Sequence, residues 1–304
     1  MLDLSKKSKK EKQSPNFIVF LVEGESDKIA LENPLSELFF EKYPDYEVRF
    51  LLQQRIVNKY GDEVDDDVDE DDDDSADDNE EDHDAYIEEE YVEGGDITTS
   101  SFVTPKNIVI KIENRFIKPA TKAEGIYSRR IVKIIHIVDL DGAYVPDECV
   151  VPLSPERTAS EKPFYDGEQG IIEARDVEAI RDRNARKQAN LDFLLSLTEG
   201  GIKIGSRVIP YEIYFFSSNL DHFINHDANL DSGKKYYADR FLREYGFDTE
   251  KFASFFFSDP AAIGHLGYYE SWEEIKNQNS VKRFTNIDCL IRRLQNTDEA
   301  VGEK

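Results

Sequence analysis

A long run of apolar positions near the middle of the chain ends in two carboxylates and a glycine. Ile131 to Leu140 is mostly apolar and β-branched, with Asp139 and Asp141 at its end and Gly142 after them. A run of this length predicts a central strand buried on both faces of a parallel sheet. Because they are two residues apart in an extended strand, Asp139 and Asp141 are expected to share one face. Such a pair repels itself unless a cation lies between, and Mg²⁺ is the usual oxygen-bound cation.

A second apolar run ends in the same way. Phe17 to Val22 leads directly into Glu23 and Gly24, with further acids behind them. The carboxyl ends of neighbouring parallel strands meet at the edge where open α/β sheets bind their ligands. We therefore expect Glu23, Asp139 and Asp141 to converge on one divalent-metal site.

The rest of the pattern predicts helices that alternate with strands. The expected elements are a helix over 26–42, a strand over 46–52, a helix over 104–116, a charged helix over 173–196, a hairpin over 202–208 and a strand over 211–216. This alternation is typical of an α/β fold with a parallel sheet flanked by helices. Residues 144–172 contain four prolines and are predicted as loop. Residues 227–304 are predicted to form a helical C-terminal extension.

The net charge of −26 is concentrated in one segment. Residues 61–95 hold 21 Asp and Glu and no Lys or Arg, so the remaining chain carries only −5. Like charges repel, and the segment has too few apolar residues to pack, which predicts a disordered acidic insertion with order resuming near Asp96. A nucleic-acid mimic that shields an active site is the alternative. Residues 1–15 are Lys-rich and are predicted to form a disordered basic tail, with contact to RNA as the alternative.

The cysteines and the apolar runs bear on the cellular compartment. Cys149 and Cys289 are too few for a disulfide framework or a zinc cluster, which fits a reducing cytosol. We find no apolar run of membrane-spanning length, and residues 1–15 lack the apolar centre of a signal peptide. These features predict a cytoplasmic protein without a membrane partner.

Four further polar residues are expected at the same edge of the sheet. Glu25 and Asp27 follow the first strand. Their alternative roles are structural, because Glu25 could simply face the helix amides and Asp27 could cap the helix. Asp221 and His222 follow the strand over 211–216. Asp221 could be a further metal ligand, could orient a water, or could belong to an ordinary helix cap with Asn219, and His222 could be a second general acid.

The two strand ends, Val22-Glu23-Gly24-Glu25-Ser26-Asp27 and Val138-Asp139-Leu140-Asp141-Gly142, resemble the motifs of the Toprim family. That family carries a Glu-Gly after its first strand and an Asp-x-Asp after its third. The resemblance implies a Toprim domain over 16–226 with a Rossmann-like parallel sheet, one or two Mg²⁺ or Mn²⁺ ions, and phosphodiester chemistry. It matches Glu23 to the family's general acid/base, and Asp139 and Asp141 to its metal-binding pair. Roughly 115 residues separate the motifs, so the acidic insertion departs from a minimal Toprim domain.

The resemblance also narrows the expected activity. Toprim topoisomerases need large strand-passage domains, and Toprim primases carry zinc-binding Cys clusters, for which two cysteines are too few. The chain looks like a standalone Toprim nuclease, similar to phage-defence effectors that act with a separate ATPase. The implied function is a metal-dependent endonuclease that cleaves RNA, tRNA included, or DNA, under the control of a partner ABC-type ATPase. A homodimer is left open.

A rival hypothesis is a non-catalytic module that keeps the Toprim fold and uses its acidic insertion to engage a partner or mimic nucleic acid. Acids at all the motif positions favour the enzyme, whereas the negative charge favours the module, because a nuclease usually has a basic footprint. The basic residues over 173–196 and the aromatic and basic residues over 234–257 could bind nucleic acid. A solvated helix face and a packed helical cap are the structural alternatives, which we favour.

Overall fold

The computed structural model describes residues 15–57, 63, 90–157, 162–230, 232–262 and 266–295. The strands are β1 (Asn16–Val22), β2 (Tyr46–Leu52), β3 (Gln54–Val57), β4 (Glu90–Glu93), β5 (Ile131–Asp139), β6 (Val150–Pro152), β7 (Phe164–Asp166), β8 (Ile171–Ala174), β9 (Ile202–Ile204), β10 (Arg207–Ile209) and β11 (Tyr211–Phe216). The α-helices are α1 (Glu25–Lys42), α2 (Ile108–Ile112), α3 (Lys118–Glu124), α4 (Val177–Ser196), α5 (Leu220–Asn225), α6 (Lys234–Tyr245), α7 (Thr249–Ser258), α8 (Tyr268–Lys276) and α9 (Ile287–Gln295). A π-helical turn, Glu113–Ile117, joins α2 to α3.

A parallel four-stranded sheet in the order β11-β5-β1-β2 forms the centre of the fold. Its two inner strands, β1 and β5, are the two apolar runs, and most of their residues are buried. Parallel neighbours require crossover connections, and α1 supplies the one from β1 to β2. The predicted α/β fold, a Rossmann-like parallel sheet flanked by helices with further helices at the C-terminal end, is confirmed.

Alternate residues of the inner strands pack on opposite faces of this sheet. On one face, Val19 and Leu21 of β1 pack with α4, with the helical segment from α2 to α3, and with the β9–β10 hairpin. On the other face, Ile18 and Phe20 pack with α1 and with α6, α7 and α9. Both faces of the sheet are therefore covered by apolar packing, which leaves the carboxyl edge of the sheet for polar side chains.

The predicted elements agree with the structure, with differences at some boundaries. The strands over 46–52 and 211–216 and the hairpin over 202–208 are confirmed. The helix predicted over 104–116 begins at Ile108, after a turn in which the Asn107 side chain accepts a hydrogen bond from the Thr104 amide at 2.8 Å. The helix predicted over 173–196 begins at Val177, since Glu173 belongs to β8. The stretch predicted as loop contains the small sheet β6-β8-β7.

Ordered structure within the predicted acidic insertion begins before Asp96. Residues 90–93 form β4, which pairs antiparallel with β3. Glu63 accepts hydrogen bonds from the buried Arg115 guanidinium and from the Ser100 hydroxyl, each at 2.7 Å. After β4, the Gly94 and Gly95 amides donate to the Gln53 and Glu23 carbonyl oxygens, so the chain returns to the end of β1 in the central sheet. The other residues predicted for the insertion, and residues 1–14 of the predicted tail, lie outside the described residues.

The C-terminal helices pack aromatic residues against both faces of the sheet. Phe241, Phe252 and Phe256 are buried in the layer that contains α1. On the opposite face, the Trp272 ring of α8 lies 4.7 Å from the Phe215 ring, centroid to centroid. This packing agrees with a helical cap rather than a nucleic-acid stacking surface. None of the described helices is long and apolar enough to cross a membrane.

His136 provides a pH-dependent test of the core. The side chain is buried in β5, with its Nδ1 2.9 Å from the Tyr211 hydroxyl, and burial lowers its pKa to about 4. An unfolded chain has a His pKa of about 6.5, so the unfolded state binds more protons than the folded state between these values. We expect the free energy of unfolding to fall by about 2–3 kcal/mol through this residue as the pH drops from 6.5 to 4, with the full contribution present above 6.5.

Urea denaturation of the wild type and His136→Gln between pH 7 and pH 4 measures this contribution. The wild type should lose more stability than the variant over that interval, because the variant has no imidazole to protonate. Parallel losses in the two proteins would contradict the prediction.

Candidate metal centre

Three carboxylates converge where the carboxyl ends of the parallel strands meet. Glu23 follows β1, Asp96 follows the β3–β4 hairpin, and Asp141 lies two residues beyond β5. One carboxylate oxygen of each residue lies within 4.8 Å of the oxygens of the other two. We call Glu23, Asp96 and Asp141 the acidic triad. Three oxygen donors at this spacing can surround one divalent cation.

Glu23 is held from two directions. Gly95 donates a backbone hydrogen bond to the Glu23 carbonyl oxygen at 2.7 Å, and the Asp139 amide donates to the Glu23 carboxylate at 2.9 Å. Gly94 has a φ of +88°, and a Cβ there would lie 3.3 Å from the Glu23 carbonyl oxygen, so this close approach favours glycine. These contacts join the end of β1 to β5 and to the segment that carries Asp96.

Asp96 is oriented by the turn in which it lies. The backbone amide and the hydroxyl of Thr98 both donate to Asp96 Oδ1, at 2.7 and 2.5 Å. The buried Asn190 side chain of α4 in turn donates to the Thr98 carbonyl oxygen at 2.9 Å. Asp96 Oδ1 is therefore occupied by its own turn, whereas Oδ2 is bonded by Lys187.

Asp139 and Asp141 do not share one face, contrary to the prediction for an extended strand. β5 ends at Asp139, and Asp141 has a φ of +47°, so the backbone leaves the extended conformation between them. The Asp139 carboxylate accepts a hydrogen bond from the Leu220 amide of α5 at 3.1 Å. The Asp141 carboxylate accepts instead from Lys187 of α4 at 2.7 Å, and the Asp141 carbonyl oxygen accepts from Arg183 of the same helix at 3.0 Å. The two aspartates thus belong to different sides of the sheet edge.

A buried lysine joins two members of the acidic triad. Lys187 of α4 is fully buried, and its Nζ lies 2.6 Å from Asp96 Oδ2 and 2.7 Å from Asp141 Oδ2. Burial by itself lowers the pKa of an ammonium, but Asp141, Asp96 and Glu23 together raise the pKa of Lys187 above its usual value. Lys187 is therefore charged, and it holds two carboxylates from distant parts of the sequence at a fixed spacing.

The sequence pattern assigns neither Asp96 nor Lys187 to the site. A signal for Lys187 is nevertheless present in the sequence, because the buried residues of α4 recur at helical spacing. These residues are Asn184, Lys187, Asn190, Leu191 and Leu194. A lysine in phase with buried leucines needs a buried anionic partner. The signal for Asp96 is weaker, since it consists only of an acid after Gly94 and Gly95.

The surroundings shift the pKa of three carboxyl groups at this edge, Glu23, Asp96 and Asp139. Burial and the charge of Asp96 raise the pKa of Glu23 well above its usual range, and burial with the charge of Asp27 does the same for Asp139. Burial also raises the pKa of Asp96, but Lys187 and local hydrogen bonds outweigh this and hold that pKa below its usual value. More negative charge is gathered at this edge than Lys187 balances, so a proton or a cation is needed as well.

The remaining predicted acids lie on the α1 and α6 side of the sheet edge. Burial and the charge of Asp221 raise the pKa of Asp27 to about 7, and Asp27 in turn raises the pKa of Asp139. Asp27 also accepts a hydrogen bond from the Gly24 amide at 2.9 Å, where α1 begins. Asp221 lies 3.2 Å from the Nζ of Lys234. The structure therefore brings Asp27 near Asp139 and Asp221, with Lys234 as their counter-charge.

Glu25 and His222 take no part in the acidic triad. Glu25 is exposed, and its carboxylate lies 2.8 Å from the Nζ of Lys235. His222 Nδ1 lies 3.0 Å from the Ser218 hydroxyl, and burial together with the charge of Arg283 lowers its pKa to about 4. His222 is therefore neutral near pH 7, which does not suit the predicted role of a general acid.

Comparison with known proteins does not assign the chain to a family. No family model, no curated protein and no solved structure matches the chain. The Toprim resemblance therefore rests on the two sequence motifs alone.

Lys187→Met tests whether the acidic triad is a charged centre that requires a cation. The substitution leaves Asp96 and Asp141 facing each other, and removal of one partner from a buried ion pair typically costs about 3–5 kcal/mol. We expect a loss of that size in the free energy of unfolding, measured in urea with EDTA, and partial recovery when millimolar Mg²⁺ is present.

Lys203→Met, an exposed change on β9, is the matched control and should leave stability unchanged. A loss below about 1 kcal/mol for Lys187→Met, with no response to Mg²⁺, would mean that the triad needs no counter-charge.

Proposed function

We propose that the protein is a metal-dependent phosphodiesterase that hydrolyses nucleic acid, with the acidic triad as its metal site. The observation that carries this proposal is the convergence of Glu23, Asp96 and Asp141 at the carboxyl edge of a parallel sheet. This edge is where α/β folds bind their ligands. Carboxylate oxygens are the donors that Mg²⁺ and Mn²⁺ favour.

The charges of the site suit one divalent cation. When ionised, the three carboxylates and the Lys187 ammonium sum to −2, which a single divalent cation balances. Carboxylates bind metals in their deprotonated form, so the raised pKa of Glu23 makes protonation compete with cation binding. The donor set therefore fits a hard, oxygen-binding cation.

In this proposal the residues at the edge are either metal ligands or residues that position those ligands. A bound cation would polarise the scissile phosphate and make an attacking water more acidic. Glu23, Asp96 and Asp141 would hold it, while Lys187 would keep Asp96 and Asp141 at their spacing. Asp139 would position Glu23 through its backbone amide. In this assignment Asp96, rather than Asp139, completes the set of metal ligands.

The narrower expectations rest on the Toprim resemblance. They are cleavage of a particular RNA or DNA, control by a separate ABC-type ATPase, and a role in phage defence. The proposal made from the triad covers the reaction class and leaves those three as predictions.

One observation favours the non-catalytic binding module as a second candidate. Lys187 already bonds two of the three carboxylates, and a buried ion pair can serve only to hold a helix in place. The triad would then bind no cation, and α4 would simply be fixed against the sheet. Metal titration separates the two candidates, because only the phosphodiesterase requires a cation site.

Asp96→Asn is the sharpest test, because the structure alone, and not the Toprim motifs, assigns Asp96 to the site. We expect Asp96→Asn and Asp141→Asn to weaken Mg²⁺ or Mn²⁺ binding at least tenfold in isothermal titration calorimetry, since even outer-sphere partners of a metal contribute about 10–100-fold. Metal-dependent cleavage of single-stranded RNA, tRNA, plasmid and linear DNA should be lost in parallel.

Asp182→Asn makes the same chemical change at an exposed position of α4 and should bind and cleave as the wild type does. Wild-type metal affinity in Asp96→Asn would contradict the proposed site. A wild type that binds neither Mg²⁺ nor Mn²⁺ would favour the binding module.

A further inference from the structure

A crevice with a volume of about 440 Å³ opens beside Asp141. Its walls include β7 with Phe164, α4 with Arg183, and the start of α6 with Lys234. The crevice therefore adjoins the acidic triad at Asp141 and the Asp221–Lys234 ion pair on the other side of the sheet edge. A molecule bound there would lie directly against the proposed metal site.

The crevice is basic although the chain is strongly acidic. Among the described residues that line it, the charged ones are Lys162, Arg183 and Lys234 against the single acid Asp141, whereas the whole chain carries −26. Lysine and arginine side chains along a groove hold the phosphates of a nucleic-acid backbone. Lys162 and Arg183 thus give the crevice a small basic patch, in addition to Lys234, which is paired with Asp221.

Phe164 supplies a flat apolar surface within this basic lining. The guanidinium carbon of Arg157 lies 3.5 Å from the centroid of the Phe164 ring, and Arg157 is itself ion-paired with Glu173 of β8. The ring is therefore supported by a fixed neighbour and lines the crevice. An aromatic ring in such a place can stack on any base, because every base has a π-face.

The asparagines of the crevice hold its walls together. Asn229 accepts from the Tyr165 amide at 2.8 Å and donates to the Tyr165 carbonyl oxygen at 2.9 Å. Asn219 donates to the Ala228 carbonyl oxygen at 2.9 Å and accepts from the His222 amide at 2.8 Å. The crevice is thus formed in advance of binding, which lowers the cost of ordering it.

We propose that this crevice binds one unpaired nucleotide of a nucleic-acid strand, with the base on Phe164 and the neighbouring phosphates on Lys162 and Arg183. The nature of the ligand as nucleic acid rests on the proposed function. The volume lies within the range of about 300–1,000 Å³ that holds one small ligand, and a base can lie flat on the Phe164 ring only when it is unpaired and unstacked. The substrate class is therefore single-stranded RNA or DNA, or an unpaired loop.

Fluorescence anisotropy with a labelled 12-nucleotide strand tests this inference. The strand is supplied as DNA and as RNA, alone or annealed to its complement, with Ca²⁺ as the oxygen-binding cation. We expect the wild type to bind at least one of the single strands about tenfold or more tightly than the duplex. Phe164→Ala should weaken single-strand binding by about tenfold or more, and Phe164→Trp should retain it.

Three further variants provide the controls and separate stacking from charge. Phe247→Ala makes the same change at an aromatic residue that is 74% exposed outside the crevice, and it should bind as the wild type does. Lys162→Ala should lower the slope of log K against log salt concentration by about 0.7, the value for one phosphate contact on a single strand. Phe164→Leu keeps apolar bulk in β7 and replaces Phe164→Ala if a thermal melt shows that the alanine variant does not fold.

The possible outcomes separate this inference from the proposed function. Two results would overturn the inference. In one, Phe164→Leu binds single strands as tightly as the wild type does, and in the other, the wild type binds the duplex as tightly as a single strand. Phe164-dependent binding of single strands without metal-dependent cleavage would support the inference and overturn the proposed function. Cleavage that depends on Asp96 but not on Phe164 would support the proposed function and overturn the inference.

Discussion

The hydrogen bonds from Lys187 to Asp96 and Asp141 are the constraint on which the rest of the site depends. An ammonium that is removed from water must be paired with negative charge, so α4 can pack against the sheet only where both carboxylates reach it. The two partners lie 91 and 46 residues from Lys187 in the sequence. Glu23 joins them because β1 is the neighbour of β5 in the sheet. One buried charge thus sets the geometry of two acids, and the pairing of β1 with β5 places the third beside them.

The edge of the sheet is divided into two sides by the conformation of one residue. The positive φ of Asp141 turns its side chain toward α4, while Asp139 stays on the side of α1 and α5. Each side has its own cation, Lys187 on one and Lys234 on the other. The crevice reaches from Asp141 to Lys234 and so spans both sides. A strand of nucleic acid could therefore meet basic side chains and the acidic triad along one path.

The sequence predicts the elements well and the residues brought in from a distance poorly. β1 and β5 are predictable because a continuous β-branched run has few alternatives to a buried strand, and the positions of Glu23 and Asp141 follow from the ends of those runs. Asp139 is wrongly expected to face the same way as Asp141, because an apolar pattern carries no signal for a positive φ beyond the strand. The pairing of β3 with β4 brings Asp96 to the site. The acidic composition of the segment between these two strands gives no signal of that pairing. The strands β6, β7 and β8 are only three or four residues long, too short for a periodic signal.

Anomalous X-ray diffraction from crystals soaked in Mn²⁺ tests the central claim most directly, because it locates the cation independently of activity. We predict a manganese peak surrounded by the carboxylate oxygens of Glu23, Asp96 and Asp141. A map without a peak at that position, or with manganese only against Asp27, Asp139 and Asp221, would contradict the assignment of the acidic triad as the metal centre.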